Sequence, residues 1–379
     1  MKTKDLIDRR RLLNSFIELV KIDSLSKDER KAADWTIKKL RRMGYQVKED
    51  QAAKAIDGNC GNLFVYIKGT SPLTVLLNAH LDTVEPGLKI QPKVVGQAVK
   101  SSGKTILGAD NKAGVAALLE IMETIKDKQL AAKASFPNLL VIFTVAEEIG
   151  LSGAKVIRPK VKADFGYTLD GGDLQDVVTS APTQINFEVI VRGKAAHAGI
   201  HPEEGISAIR AAGEAVARVK LGRLDHETTA NIGIIRGGVA TNIIPDEVYL
   251  KGEARSHNPA KLHKVIENIR RQIKTTIQKH RCRFEMRLIP LYRSFHVSSQ
   301  ALPVRKLVTG LKRCGVRPRI KSTGGGSDAN IFNAMGVPTI IVGVGADRVH
   351  TTNERLKLKD FYAGTQAMLD TLLSFGEKT

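Results

Sequence analysis

At 379 residues and 42% hydrophobic composition the chain is too long for one hydrophobic core and too apolar for disorder, so a two-domain globular protein is expected. Its formal charge of +20 raises nucleic acid or an anionic membrane as partners, but Lys and Arg are scattered over helical patterns (Lys38 to Arg42, Ile269 to Lys274), and at 5% aromatic residues stacking platforms are scarce. The charge therefore reads as solvated helix faces, leaving a basic nucleic-acid-binding protein as the non-enzyme alternative.

Cys60, Cys282 and Cys314 are widely spaced and odd in number, which offers neither a disulfide framework nor a cysteine zinc site. The first twenty residues interleave charges with apolar residues at helical spacing and contain no apolar stretch for a signal peptide or membrane span. A cytoplasmic protein is expected. After these amphipathic helices come two buried-strand patterns, L-F-V-Y-I (63–67) and L-T-V-L-L-N-A (73–79), each bounded by Gly or Pro. A helical stretch from Lys112 to Lys126 follows, then the apolar run 139–145. Such alternation implies an α/β sheet covered by helices, in which ligands bind beyond the carboxyl ends of the strands. His80, Asp110, Glu147 and Asp170 all fall at such ends.

From Thr183 the order becomes strand, helix, strand, strand, helix, strand, the pattern of a ferredoxin-like α+β unit. Its strands alternate apolar and polar residues, as for a sheet with one face on two helices and the other open. The chain then returns to the first domain through a helix at 302–314, the loop G-G-G-S-D (324–328), a helix to 335, the strand T-I-I-V-G and a closing helix from Leu358. The expected domains are 1–182 and 293–379, forming one catalytic body, with 183–292 inserted as a lid.

Five segments carry the chemistry: N-A-H-L-D (His80, Asp82), G-A-D-N-K-A-G (Asp110), T-V-A-E-E-I-G (Glu147, Glu148), Y-T-L-D-G-G (Asp170) and R-V-H-T-T-N-E (His350). Read alone, each has a plainer meaning, such as a turn-forming Asp, a helix cap or a solvated acidic pair. Together they supply the mixed imidazole and carboxylate set that divalent ions take. Adjacent side chains on extended backbone point apart, so one of Glu147 and Glu148 would bind metal and the other stay free as a base. Asp82, two residues after His80, is placed to hold that imidazole in one tautomer.

These motifs, with A-H-A-G-I-H-P-E-E-G-I-S-A and G-G-G-S-D-A-N, resemble the co-catalytic zinc aminopeptidases, carboxypeptidases and deacylases over nearly the whole chain, and within that family the peptidase T-like tripeptide aminopeptidases. The resemblance implies a zinc-exopeptidase-like mixed sheet sandwiched by helices with an inserted ferredoxin-like lid. It further implies that Asp110 bridges two divalent ions (zinc, with cobalt or manganese also accepted), that His80 and Asp170 complete one site, and that Glu148 and His350 complete the other. By the same resemblance Glu147 is the base, Asp82 orients His80, the peptide bond after Asp110 is cis, and His197 of the lid stabilises the oxyanion, with His201 less favoured. Asn242, Arg255, Gly325 and Ser327 would bind a short peptide substrate, and the lid is compatible with homodimer formation. Deacylase or carboxypeptidase activity is the enzymatic alternative, favoured by A-T-N-I-I-P-D.

Overall fold

The computed structural model describes residues 5–126 and 136–375. They divide into two compact units: one takes the chain up to Ser180, His296–Ser322 and the residues from Ser327 on, and the other takes Ala181–Phe295 with Thr323–Gly326.

The first unit is built on a mixed sheet. The strand Ser71–His80 lies between Pro137–Thr144 and Phe165–Gly171 and runs parallel to both. Thr339–Gly343 extends the parallel run beyond Phe165–Gly171, while Leu63–Ile67 pairs antiparallel on the far side of Pro137–Thr144. The central strands are apolar almost without a break because both faces are covered; Pro137–Thr144 buries seven of its eight residues. The helix Ala109–Lys126 packs on Ser71–His80, and against it pack the helices Arg9–Val20 and Leu358–Leu373. Its apolar residues are buried around nearly its whole circumference, from Ala109 to Ile125, as a helix enclosed between a sheet and two other helices requires.

The second unit is the ferredoxin-like arrangement, with one addition. Its sheet runs Gly222–Asp225, Thr228–Gly237, Glu247–Ser256, Thr183–Arg192, Arg283–Tyr292, all neighbours antiparallel. The short edge strand Gly222–Asp225 has no counterpart in the sequence reading, because four residues are too few to show a period. Glu247–Ser256 alternates strictly between buried and less buried positions. Its buried side chains Val248, Leu250 and Ala254 join Phe187, Val189 and Val191 under the helices Ala208–Arg218 and Pro259–Lys279. Thr323–Gly326 groups with this unit because Arg255 Nη1 donates to Gly324 O at 3.3 Å and the His257 ring lies 2.9 Å from Thr323 O. A side chain at Gly326 would come within 2.2 Å of the Tyr292 ring, so this close approach requires glycine.

Among the described residues no helix is long and apolar enough to cross a membrane.

Candidate metal centre

Parallel pairing explains why distant segments meet. Ser71–His80, Pro137–Thr144 and Phe165–Gly171 point the same way, so His80, the Glu147–Glu148 pair just past Thr144, and Asp170 all emerge at one sheet edge. The crossover helix between the first two strands must begin at that edge, which brings in Asp110 near its start. Thr339–Gly343 is parallel as well, and the segment after it carries His350.

Two trios of ligand atoms result, each within 4.8 Å of one another: His80, Asp110 and Asp170, and Asp110, Glu148 and His350. Asp110 belongs to both. Its Oδ1 lies 3.2 Å from His80 Nε2 and its Oδ2 3.3 Å from His350 Nε2. Asp170 Oδ1 is 3.4 Å from His80 Nε2, and Glu148 Oε1 is 2.9 Å from His350 Nε2. Glu147 belongs to neither trio; its Oε2 stands 4.0 Å from His80 Nε2. The Asp110–Asn111 peptide is cis, as the resemblance led us to expect.

Asp82 is fully buried and does more than face the imidazole. His80 Nδ1 lies 3.3 Å from its Oδ1 and 3.0 Å from its backbone oxygen, so the ring is held from both. The same carboxylate accepts the backbone N–H of Glu147 at 3.0 Å, that of Glu148 at 3.1 Å and the Ser26 hydroxyl at 2.6 Å. One side chain thereby fixes the imidazole and the backbone of the acidic pair.

Five carboxylates (Asp82, Asp110, Glu147, Glu148, Asp170) face two imidazoles, and the imbalance shows in their proton affinities. Burial pushes Asp170 up to about 8, against the His80 hydrogen bond and with the Asp110 charge adding to the rise. Burial likewise holds Glu147 well above the usual carboxylate range, with Asp170, Asp328 and Glu148 reinforcing it. Burial also raises Glu148, opposed by its His350 bond. The Asp110 and Glu148 carboxylates carry His350 up to about 10. Burial opposes protonation of His80, yet Asp110, Asp170 and Asp82 together hold it well above an ordinary histidine. Carboxylates crowded away from water with too little positive charge form a set that divalent cations relieve, and the shared Asp110 suits two of them.

Two supporting carboxyls escaped the sequence reading. Glu29, fully buried, accepts the N–H of Lys27 at 2.9 Å and of Ala146 at 2.8 Å, holding the turn before the acidic pair where Ala146 has φ +50°. Asp328, also buried, takes the Thr144 hydroxyl at 2.5 Å and the Asn78 amide at 3.4 Å, tying its helix to the strands that deliver Glu147 and His80. Neither stands at a strand end, and only the tertiary contacts give it a partner.

The substrate positions read from the sequence divide. His197 and Asn242 are exposed; their segments pair through a bridge between His197 and Ile243, and Ala198 N–H donates to Asn242 O at 2.9 Å. His201 is exposed beside Glu203. Arg255 Nε and Nη2 bond Glu253 Oε1 and Oε2 at 2.9 and 3.0 Å, an ion pair within the sheet. Ser327 caps its helix, accepting Ala329 N–H while its own N–H donates to Asn330, and it is buried. The Gly325 amide is spent within its loop on Thr323 Oγ1 at 3.2 Å.

The model of peptidase family M20/M25/M40 matches residues 76–374. The fold is similar to that of a tripeptidase from Staphylococcus aureus, with a TM-score of 0.91 at 37% identity, covering 98% of this chain and 100% of that one. It is also similar to aminopeptidase PepT from Bacillus cereus, with a TM-score of 0.86 at 35% identity over 98% and 100% of the two chains. In sequence it is 37% identical over 358 residues to the uncharacterized protein YqjE of Bacillus subtilis, 94% of this chain and 95% of that protein.

Proposed function

Since the chain belongs to peptidase family M20/M25/M40, we propose that it is a metal-dependent aminopeptidase that removes the first residue of short peptides, tripeptides above all. The observation that carries this reading is the pair of ligand trios sharing Asp110, with Glu147 beside them in neither. His80, Asp110 and Asp170 would hold one divalent ion and Asp110, Glu148 and His350 the other; zinc, cobalt and manganese all accept such donors. When bound, two such ions polarise a scissile carbonyl and make a water more acidic.

The residues of the chain supply the rest. Glu147, buried and unligated, takes the proton of the attacking water and returns it to the leaving amine, which suits a carboxylate whose proton affinity burial has raised. Asp82 keeps His80 in one tautomer and fixes the backbone from which both glutamates project. In the second unit, exposed His197 and Asn242 are the polar groups we assign to substrate, His197 as donor to the developing oxyanion. Arg255, whose Nε and Nη2 bond Glu253, would have to leave that ion pair to grip the terminal carboxylate of a carboxypeptidase or deacylase substrate.

Rates on a free tripeptide, its N-acetylated form and a series of N-acyl amino acids test the proposal. The free tripeptide is expected to turn over fastest, with activity abolished by chelator; turnover of the acylated compounds alone would overturn it. His80→Ala should lower the content of bound metal together with activity.

A further inference from the structure

The segment that brings His350 to the site ends four residues later in Glu354, a side chain only 1% exposed. Its carboxylate is bonded entirely to backbone. Oε2 accepts the N–H of Leu107 at 2.7 Å and of Gly108 at 2.8 Å, and Oε1 accepts the N–H of Asp110 itself at 3.0 Å. Glu354 N–H in turn donates to Thr351 O at 3.0 Å, closing the turn that follows His350. Asp110 is thus touched twice by one short stretch of chain, at its carboxylate by His350 Nε2 and at its backbone by Glu354.

We propose that Glu354 is a positioning residue that presets the shared Asp110, so that both metal sites, and not one, depend on it. The inference rests on the two-metal reading above. Three converging N–H groups need both oxygens of a carboxylate; an amide of the same length offers one acceptor and would turn its own donor toward an N–H. A buried carboxylate beside a cluster rich in anions is a costly loop staple, even with the buried Lys112 ammonium near enough to interact with it. Its position makes sense where the loop it holds carries the one ligand common to both trios.

Zinc titration of the metal-free protein against a chromophoric chelator, with melting of the metal-free form in parallel, tests the inference. Glu354→Gln is expected to weaken both binding steps by about 10- to 100-fold, whereas Asp170→Asn weakens one step only. Cobalt spectra of Glu354→Gln should change at both sites. If that variant does not fold, Glu354→Asp, too short to reach all three N–H groups, is read the same way. Wild-type zinc affinities in a variant whose metal-free form merely melts earlier would reduce Glu354 to a structural staple and overturn the inference. Wild-type protein that takes up fewer than two ions would overturn the reading of the site, and this inference with it.

Discussion

The two units handle polar side chains in opposite ways. In the second, the charged residues of the strands keep contact with water, as Lys251 and Glu188 do, 3.8 Å apart and both partly exposed. In the first, His80, Asp82, Glu147 and Glu354 are buried at or near one sheet edge, where water cannot screen them. A half-covered sheet can carry charge at little expense because solvent compensates it. A sheet covered on both faces cannot, and charge concentrated at its edge marks a site that external cations complete.

The sharpest way to break this contrast is to remove the unligated carboxylate. Glu147→Gln should lower turnover by about 10²- to 10⁴-fold while zinc content stays at the wild-type level; loss of metal in step with activity would place Glu147 among the ligands. In the second unit the reverse is expected. Ile266, fully buried under the sheet, should cost about 2–5 kcal/mol when replaced by Ala, seen as an earlier denaturation midpoint, with zinc affinity unchanged. A concurrent fall in zinc affinity would show that the units are not energetically separate.

Glu29 makes the first unit sensitive to pH. Burial, with the Asp82 charge, pushes it up to about 7 from an ordinary value of 4.5. Its folded value lies above its unfolded one, so its contribution to stability is fully present below pH 4.5 and lost as pH rises through 7. Denaturant unfolding from pH 4.5 to 8 should show Glu29→Gln with a flatter stability profile than wild type, by on the order of 3 kcal/mol across that window. Parallel profiles would mean that Glu29 keeps an ordinary carboxyl. The smallest effect is expected on the open face, where Lys251→Ala should change stability by less than about 0.5 kcal/mol.

Much of this was legible in the chain. Apolar runs ending in His80, Thr144 and Asp170 mark strands of a covered sheet, and a site at their carboxyl ends follows from that architecture. The alternation in Glu247–Ser256 likewise marks a sheet with one open face. Residues whose meaning lies only in a distant partner stayed hidden. Glu29 looks like one more charged residue at a helix start until it is seen holding Ala146, and Asp328 like a helix-capping acid until Thr144 is found bonded to it.

The order of residues determined the elements and the chemical types available to the site, because period and local propensity act over a few positions. Tertiary structure alone decided that Asp82 and Glu29 hold the backbone of the acidic pair and that Glu354 reaches back to Leu107, Gly108 and Asp110. Those bonds join residues from tens to hundreds of positions apart, which meet because the parallel strands deliver the segments that follow them to one end of the sheet.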